Sequence, residues 1–264
     1  MPQNRILRER VAGQSAMSDV VRAQASAPPR EVIWRILGSS PLTTASRASY
    51  RGALGELLVG DVLENLGQRW DVLHDLPLGD TVLEHLLIGP AGVFTVRAAN
   101  YGPEEVTIDG SDLVVGGHPM DDIRRAAAEA DEAARILGAA AGETVRVRPM
   151  LVIVEPRRLT VRVAAAGVRV LASWELERAL TRAPRTLPGD DVARISDLAD
   201  LVTTWPSADT TDLDTQRLYR DFATIRDEVR VATARRILWA IVGIALGYGI
   251  VWGLISSLVT LLVG

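Results

Sequence analysis

From Ile237 to Gly264 the chain contains no charged residue, and this run limits the fold more than any other stretch. A helix of about 20 apolar residues crosses a hydrocarbon core of ~30 Å, whereas a buried core helix is rarely apolar on all sides over such a length. Residues 237–264 are therefore read as a transmembrane helix, with the membrane as a partner. Arg230, Arg235 and Arg236 stand just before the run and nothing charged follows it. The bias of basic residues toward the cytoplasmic side then predicts a single-pass, tail-anchored chain whose preceding domain is cytoplasmic. Gly243 and Gly247, and again Gly249 and Gly253, have the spacing that allows close helix approach, so a homodimer through them is one expectation. Upstream, Leu218, Phe222, Ile225, Val229 and Ala232 recur at helical spacing, giving either the seam of a short coiled coil or a helix packed on its own domain. This is the juxtamembrane helix, within 206–236.

The rest divides into an arm and a domain. Residues 1–47 mix Arg, Ser, Ala and Pro, with apolar residues concentrated only in Val32–Leu37, and are expected to be a mobile N-terminal arm. Residues 48–205 read as an α/β domain. Leu54, Leu58, Val62 and Leu66 predict an amphipathic helix carrying Glu56 and ending at Gly67. Trp70–Leu73 is a short strand, and Asp75–Asp80 a polar turn. Val82–Ile88 and Val93–Val96 form a hairpin around Gly89-Pro90-Ala91-Gly92. A second hairpin pairs Val106–Ile108 with Leu113–Val115, Met120–Leu137 is a helix, and the apolar end of Val145–Val154 predicts a strand buried on both faces.

Composition closes several chemistries. Cysteine is absent, which removes thiolate metal sites and cysteine nucleophiles. All 29 basic residues are arginine, so a Walker-type lysine, a Schiff base or a lysine acting on phosphate is unavailable. A net charge of −4 makes no global case for nucleic acid, although Arg146, Arg148, Arg157, Arg158, Arg162 and Arg169 cluster in sequence and could track phosphates, the first four as the candidate contacts.

Gly52-x-x-Gly55-Glu56, Glu84-His85, Gly89-Pro90-x-Gly92-Val93-Phe94 and Asn100-Tyr101-Gly102 together resemble the nuclease-related domain (NERD) family, whose core resembles the PD-(D/E)XK nucleases. The resemblance covers Tyr50 to about Gly117 and implies a restriction-endonuclease-like mixed sheet flanked by helices, followed here by one C-terminal transmembrane helix. It also implies that Glu84 stands at the metal-binding Asp, Arg97 at the second carboxylate and Ala99 at the lysine, with Glu56 on the first helix. His85, which follows the family pattern, is a lone histidine beside an apolar strand and is read as a satisfied structural residue. An arginine repels a divalent ion and an alanine offers it nothing. The expectation is thus a catalytically inactive module that binds nucleic acid or protein, without a cofactor. The alternative is a metal-dependent nuclease or phosphodiesterase in which Glu56 and Glu84, with Asp75 or Asp80, hold Mg or Mn while Arg97 or Arg148 clamps phosphate.

Overall fold

The computed structural model describes residues 7–28, 30–79, 81–206 and 214–263. Asp80, a carboxylate of the alternative metal site, lies outside them. The chain forms two compact units, one from residues up to Asp19 with Ala48–Thr215, the other from Val20–Arg47 with the residues from Gln216 onward.

The first unit is built on a five-stranded sheet of β1 (Asp71–Leu78), β2 (Thr81–Gly89), β3 (Gly92–Ala99), β7 (Val147–Ile153) and β9 (Arg169–Ala172), in that spatial order. Strands β1 to β3 are antiparallel, while β3, β7 and β9 are parallel. Alternation along each strand sends residues to opposite faces. Phe94 and Val96 of β3 and Met150 and Val152 of β7 pack with Val59 and Leu63 of α3 (Thr44–Glu64) and Leu176 of α5 (Leu176–Thr181). On the other face, Leu83 and Val93 meet Ile136 and Leu137 of α4 (Asp122–Ala141) and Ile195 of α6 (Gly189–Asp200). The sheet is therefore covered on both sides, which explains its near-continuous apolar strands.

A second sheet, in the order β6 (His118–Met120), β5 (Asp112–Val115), β4 (Glu105–Asp109) and β8 (Arg158–Val163), packs Val106, Ile108 and Leu113 on Ile123 of α4 and on Leu151 and Ile153. The mixed α/β architecture expected from the sequence is present, but with two mixed sheets in place of one. Strand β8 is exposed along most of its length, so it lacks the buried apolar run that marks the other strands in the sequence.

Two local readings change. Asp75 is not in a turn: β1 continues to Leu78, and Asp75 sits within it in a left-handed conformation at φ 53°. Within the stretch expected to be a mobile arm, residues 7–25 carry regular structure. Leu7–Glu9 is a 3-10 turn and α1 spans Gln14–Ala25, with Leu7, Ala12 and Met17 buried. Arg8 pairs with both Asp71 and Asp200, so this stretch is tied to the domain by side-chain contacts that no local pattern announces.

The second unit contains α2 (Val32–Ile36) and α7 (Thr215–Val263), a single helix of 49 residues that runs through the boundary expected near position 236. Its apolar part within Thr215–Gly253 is long and apolar enough to cross a membrane. Of the expected seam, Leu218, Phe222 and Ala232 are buried within the single chain, which favours packing over an exposed coiled-coil edge.

Candidate functional site

The sheet register assembles the site. Between the pairs His74↔His85 and Leu76↔Leu83, Asp75 stands opposite Glu84. One step beyond the pair His85↔Val96, Glu84 stands opposite Arg97. Three charged side chains from β1, β2 and β3 therefore form one row. The ladder between β2 and β3 stops there because the Glu84 carboxylate intervenes: its Oε2 accepts the Ala98 N–H at 2.6 Å.

Glu56 reaches the same cavity, of about 530 Å³, from α3. Gly55 makes this possible. A Cβ at that position would stand 3.0 Å from the Asn100 Cβ, so the glycine lets α3 lie against the end of β3. That is the physical content of the Gly-x-x-Gly-Glu spacing.

Arg97 dominates the electrostatics. Its guanidinium donates to Glu129 at 2.6 Å and to Asp122 at 3.3 Å, and stands 3.3 Å from Glu84 Oε1. Asp122 also accepts the Tyr101 hydroxyl at 2.6 Å. Burial works against the charged guanidinium, but Glu84, Glu129 and Asp122 outweigh it and raise Arg97 above its ordinary value. Glu129 itself is raised by burial, against the lowering effect of Arg97.

The carboxylates are shifted in turn. Burial pushes Glu84 up to about 7, with Arg97 and the Ala98 N–H opposing it. Glu56 is raised well above its ordinary range by burial and then by Glu84 and Asp75. Asp75 is raised by burial, although Ser15 donates to it through both backbone and hydroxyl and Arg10 pairs with it at 3.1 Å.

These shifts fix a pH dependence. A carboxyl whose folded value lies above its unfolded value contributes most to stability below the unfolded value, and that contribution is lost as pH rises through the folded one. For Glu84 the window runs from 4.5 to about 7. Thermal unfolding in detergent should show the domain more stable at the acidic end of this window than above it, by on the order of 3 kcal/mol from Glu84. Glu84→Gln should flatten the slope in part, leaving the contributions of Glu56 and Asp75. A stability that rises across the window would contradict the assignment.

The site does not suit the divalent ion that the nuclease resemblance implies. One Glu84 oxygen is taken by a backbone N–H, the other faces a guanidinium, and Arg97 supplies the positive charge that an ion would bring. Among the described residues no cluster of three His, Asp or Glu side chains is arranged to hold a metal. Ala99 is buried with Ile123 and Ala126 of α4 in an apolar cluster, so the position corresponding to the family's lysine is occupied by packing.

His85 lies on the opposite side of β2, beneath α3. Its Nδ1 is 2.8 Å from His74 Nδ1, and His74 Nε2 is 3.3 Å from Glu64. If His74 donates from Nε2 to Glu64, its Nδ1 accepts from His85 Nδ1–H, leaving His85 Nε2 as a buried acceptor without a partner. Burial, then His74, pushes His85 well below its ordinary value. The pair is neutral structural packing under Gly60, where a side chain would run into Ala12.

Residues 51–154 match the nuclease-related domain (NERD) family. No curated protein and no solved structure matches the chain. The NERD segment extends past the motif-bearing hairpin through β7, and so includes α4 with its two Arg97 partners, Asp122 and Glu129.

The four arginines expected as phosphate contacts fall into two pairs at opposite ends of β7, with Arg146 and Arg148 lining one cavity. Arg148 lies over the Phe94 ring at 4.5 Å and donates to Ala91 O and Thr186. Arg157 and Arg158 follow the other end of β7, a strand about 20 Å long at ~3.3 Å per residue. A basic surface does form around Arg169 of the same cluster. Arg169, Arg178 and Arg182 line a shallow cavity with Trp174, whose side chain is 63% exposed. The four-residue spacing from Trp174 to Arg178 to Arg182 was the available sequence signal, since it aligns residues along a helix.

Proposed function

We propose that this chain presents a non-hydrolysing NERD domain at the cytoplasmic face of a membrane, where it binds and retains a partner. The observation that carries the reading is the Arg97 guanidinium set among Glu84, Asp122 and Glu129. It neutralises the carboxylates that would otherwise attract a divalent ion, and no lysine in the sequence can replace the missing one. The domain requires no cofactor. Single-stranded nucleic acid is the favoured partner because Trp174 offers a stacking surface beside Arg169, Arg178 and Arg182. Gly243, Gly247, Gly249 and Gly253 have open space around them, which leaves room for pairing with a second copy.

The convergence of Glu56, Asp75 and Glu84 on one cavity favours a second reading, a metal-dependent nuclease with a rearranged site. Incubating the full chain in detergent with labelled single-stranded DNA and RNA, in Mg²⁺ or Mn²⁺, separates the two. Binding that weakens with salt, without cleavage, is expected, and Trp174→Ala should weaken it by roughly 5-fold or more from the loss of one stacking contact. Cleavage abolished by Glu84→Ala would establish the second reading in its place. Absence of binding would overturn the nucleic-acid assignment and point to a protein partner.

A further inference from the structure

Residues Val32 to Leu37 present a run of exposed apolar side chains outside α7. Val32 is 69% exposed, Ile33 and Trp34 54% each, Ile36 49% and Leu37 42%. None of the five residues of α2 is buried. A run of large apolar side chains presented to water marks a surface that something covers.

Its position within its own unit identifies what that is. Gly38, at φ +80°, ends the helix in a left-handed conformation, and a Cβ there would collide with the backbone of Ala232 and Arg236. The glycine therefore lets the chain turn directly against α7. Arg235 donates to Arg35 O at 3.0 Å, and Trp239 Nε1 donates to Ile36 O at 2.9 Å. These contacts hold α2 at the level where α7 changes from Arg235-Arg236 to the charge-free run beginning at Ile237. Ile237, Leu238 and Trp239 are themselves exposed, so the apolar surface of α2 continues into that of the span.

We infer that α2 is an interfacial membrane element that lies at the boundary of headgroups and acyl chains beside the entry point of α7. Val32, Ile33, Trp34, Ile36 and Leu37 enter the apolar side. Arg35, Arg235 and Arg236 face anionic headgroups, a mixture of apolar body and basic rim that suits this depth, about 5–10 Å into the boundary. The Trp239 ring, tied to α2 by its N–H, belongs to the same level. The assignment rests on α7 spanning the bilayer. It adds a second point of attachment, which fixes the rotation of α7 about its own axis as well as its depth.

The absence of cysteine allows a direct test. Single-cysteine variants Ile33→Cys, Ile250→Cys and Asp112→Cys are labelled with an environment-sensitive fluorophore in the full chain and reconstituted in phosphatidylcholine–phosphatidylserine vesicles. Lipids carrying a quencher either near the headgroup or deep in the acyl chain are then introduced. At position 33 the shallow quencher should remove most of the emission and the deep one little. At 250 the deep quencher should dominate, and at 112 neither should act. Quenching at 250 without quenching at 33 overturns the interfacial assignment while leaving the span intact. Loss of quenching at both positions removes the span itself. A label at 33 that is shielded from lipid but responds to dilution of the protein in the vesicles overturns the assignment in favour of a second copy as the cover.

Discussion

Arg97→Ala should lower the stability of the α/β domain by about 3–5 kcal/mol, because it leaves buried carboxylates without their cation. For a domain of this size that corresponds to a drop in Tm of roughly 10 °C, at about 2–4 °C per kcal/mol. The side chain is 19% exposed and is in contact with Glu84, Asp122 and Glu129, whose side chains are between 11% and 13% exposed. Water therefore screens little of the repulsion once the guanidinium is gone. Arg97→Lys should fall between the two, since an ammonium keeps the charge but loses the planar fork that serves several acceptors together. The variant also offers a second readout. With Arg97 removed, Glu56, Glu84 and Glu129 remain around a cavity with space for a hydrated ion, so Mn²⁺ should recover part of the lost stability in Arg97→Ala and none in the unaltered chain. Equal melting of the two proteins would remove Arg97 from its assigned role. Mn²⁺ stabilising the unaltered chain would show that the carboxylates already accept a metal.

The second large effect concerns α7. Ile244 and Ile250 are 70% and 64% exposed in a stretch with no charge. Placing arginine at both should cost about 5–7 kcal/mol of insertion free energy, at roughly 2.5–3.5 kcal/mol for each charge at the centre of a span. The unaltered chain should remain in the membrane pellet after washing at alkaline pH, whereas Ile244→Arg/Ile250→Arg should appear in the soluble fraction or in aggregates. Release of the unaltered chain by the same wash would mean that α7 lies on the surface.

The two strands around Gly89 and Gly92 were legible because both sheet faces are covered, which makes the strands uniformly apolar, and because the turn tolerates little else. Gly89 lies against the Trp70 indole where a side chain would clash, and Gly92 holds φ 120°. The helix carrying Glu56 and the buried strand β7 were legible for the same reason, a strong period or an unbroken apolar run. Asp122 and Glu129 were not. The buried face of α4 is marked by Ile123, Ala130 and Leu137, and nothing in the spacing of two acidic residues reveals that a strand arginine will sit between them. Asp75 was misread because a charged residue in a short polar stretch resembles a turn, and its partners Ser15 and Arg10 lie about 60 residues away. The basic run is legible only in part: Arg146 and Arg148 share a cavity, whereas Arg157 and Arg158 lie beyond the other end of the strand that connects the two pairs.

A bound divalent ion comes and goes with its concentration in the surroundings, and a chelator can strip it out. The cation at position 97 is synthesised with the chain, at one per molecule, and its high affinity for the proton keeps it charged under any condition in which the fold persists. Depletion of free magnesium would empty a metal-loaded site, but it leaves the charge of Arg97 as it was. The positive charge at the centre of the domain is set by translation, and only the carboxylates around it answer to pH.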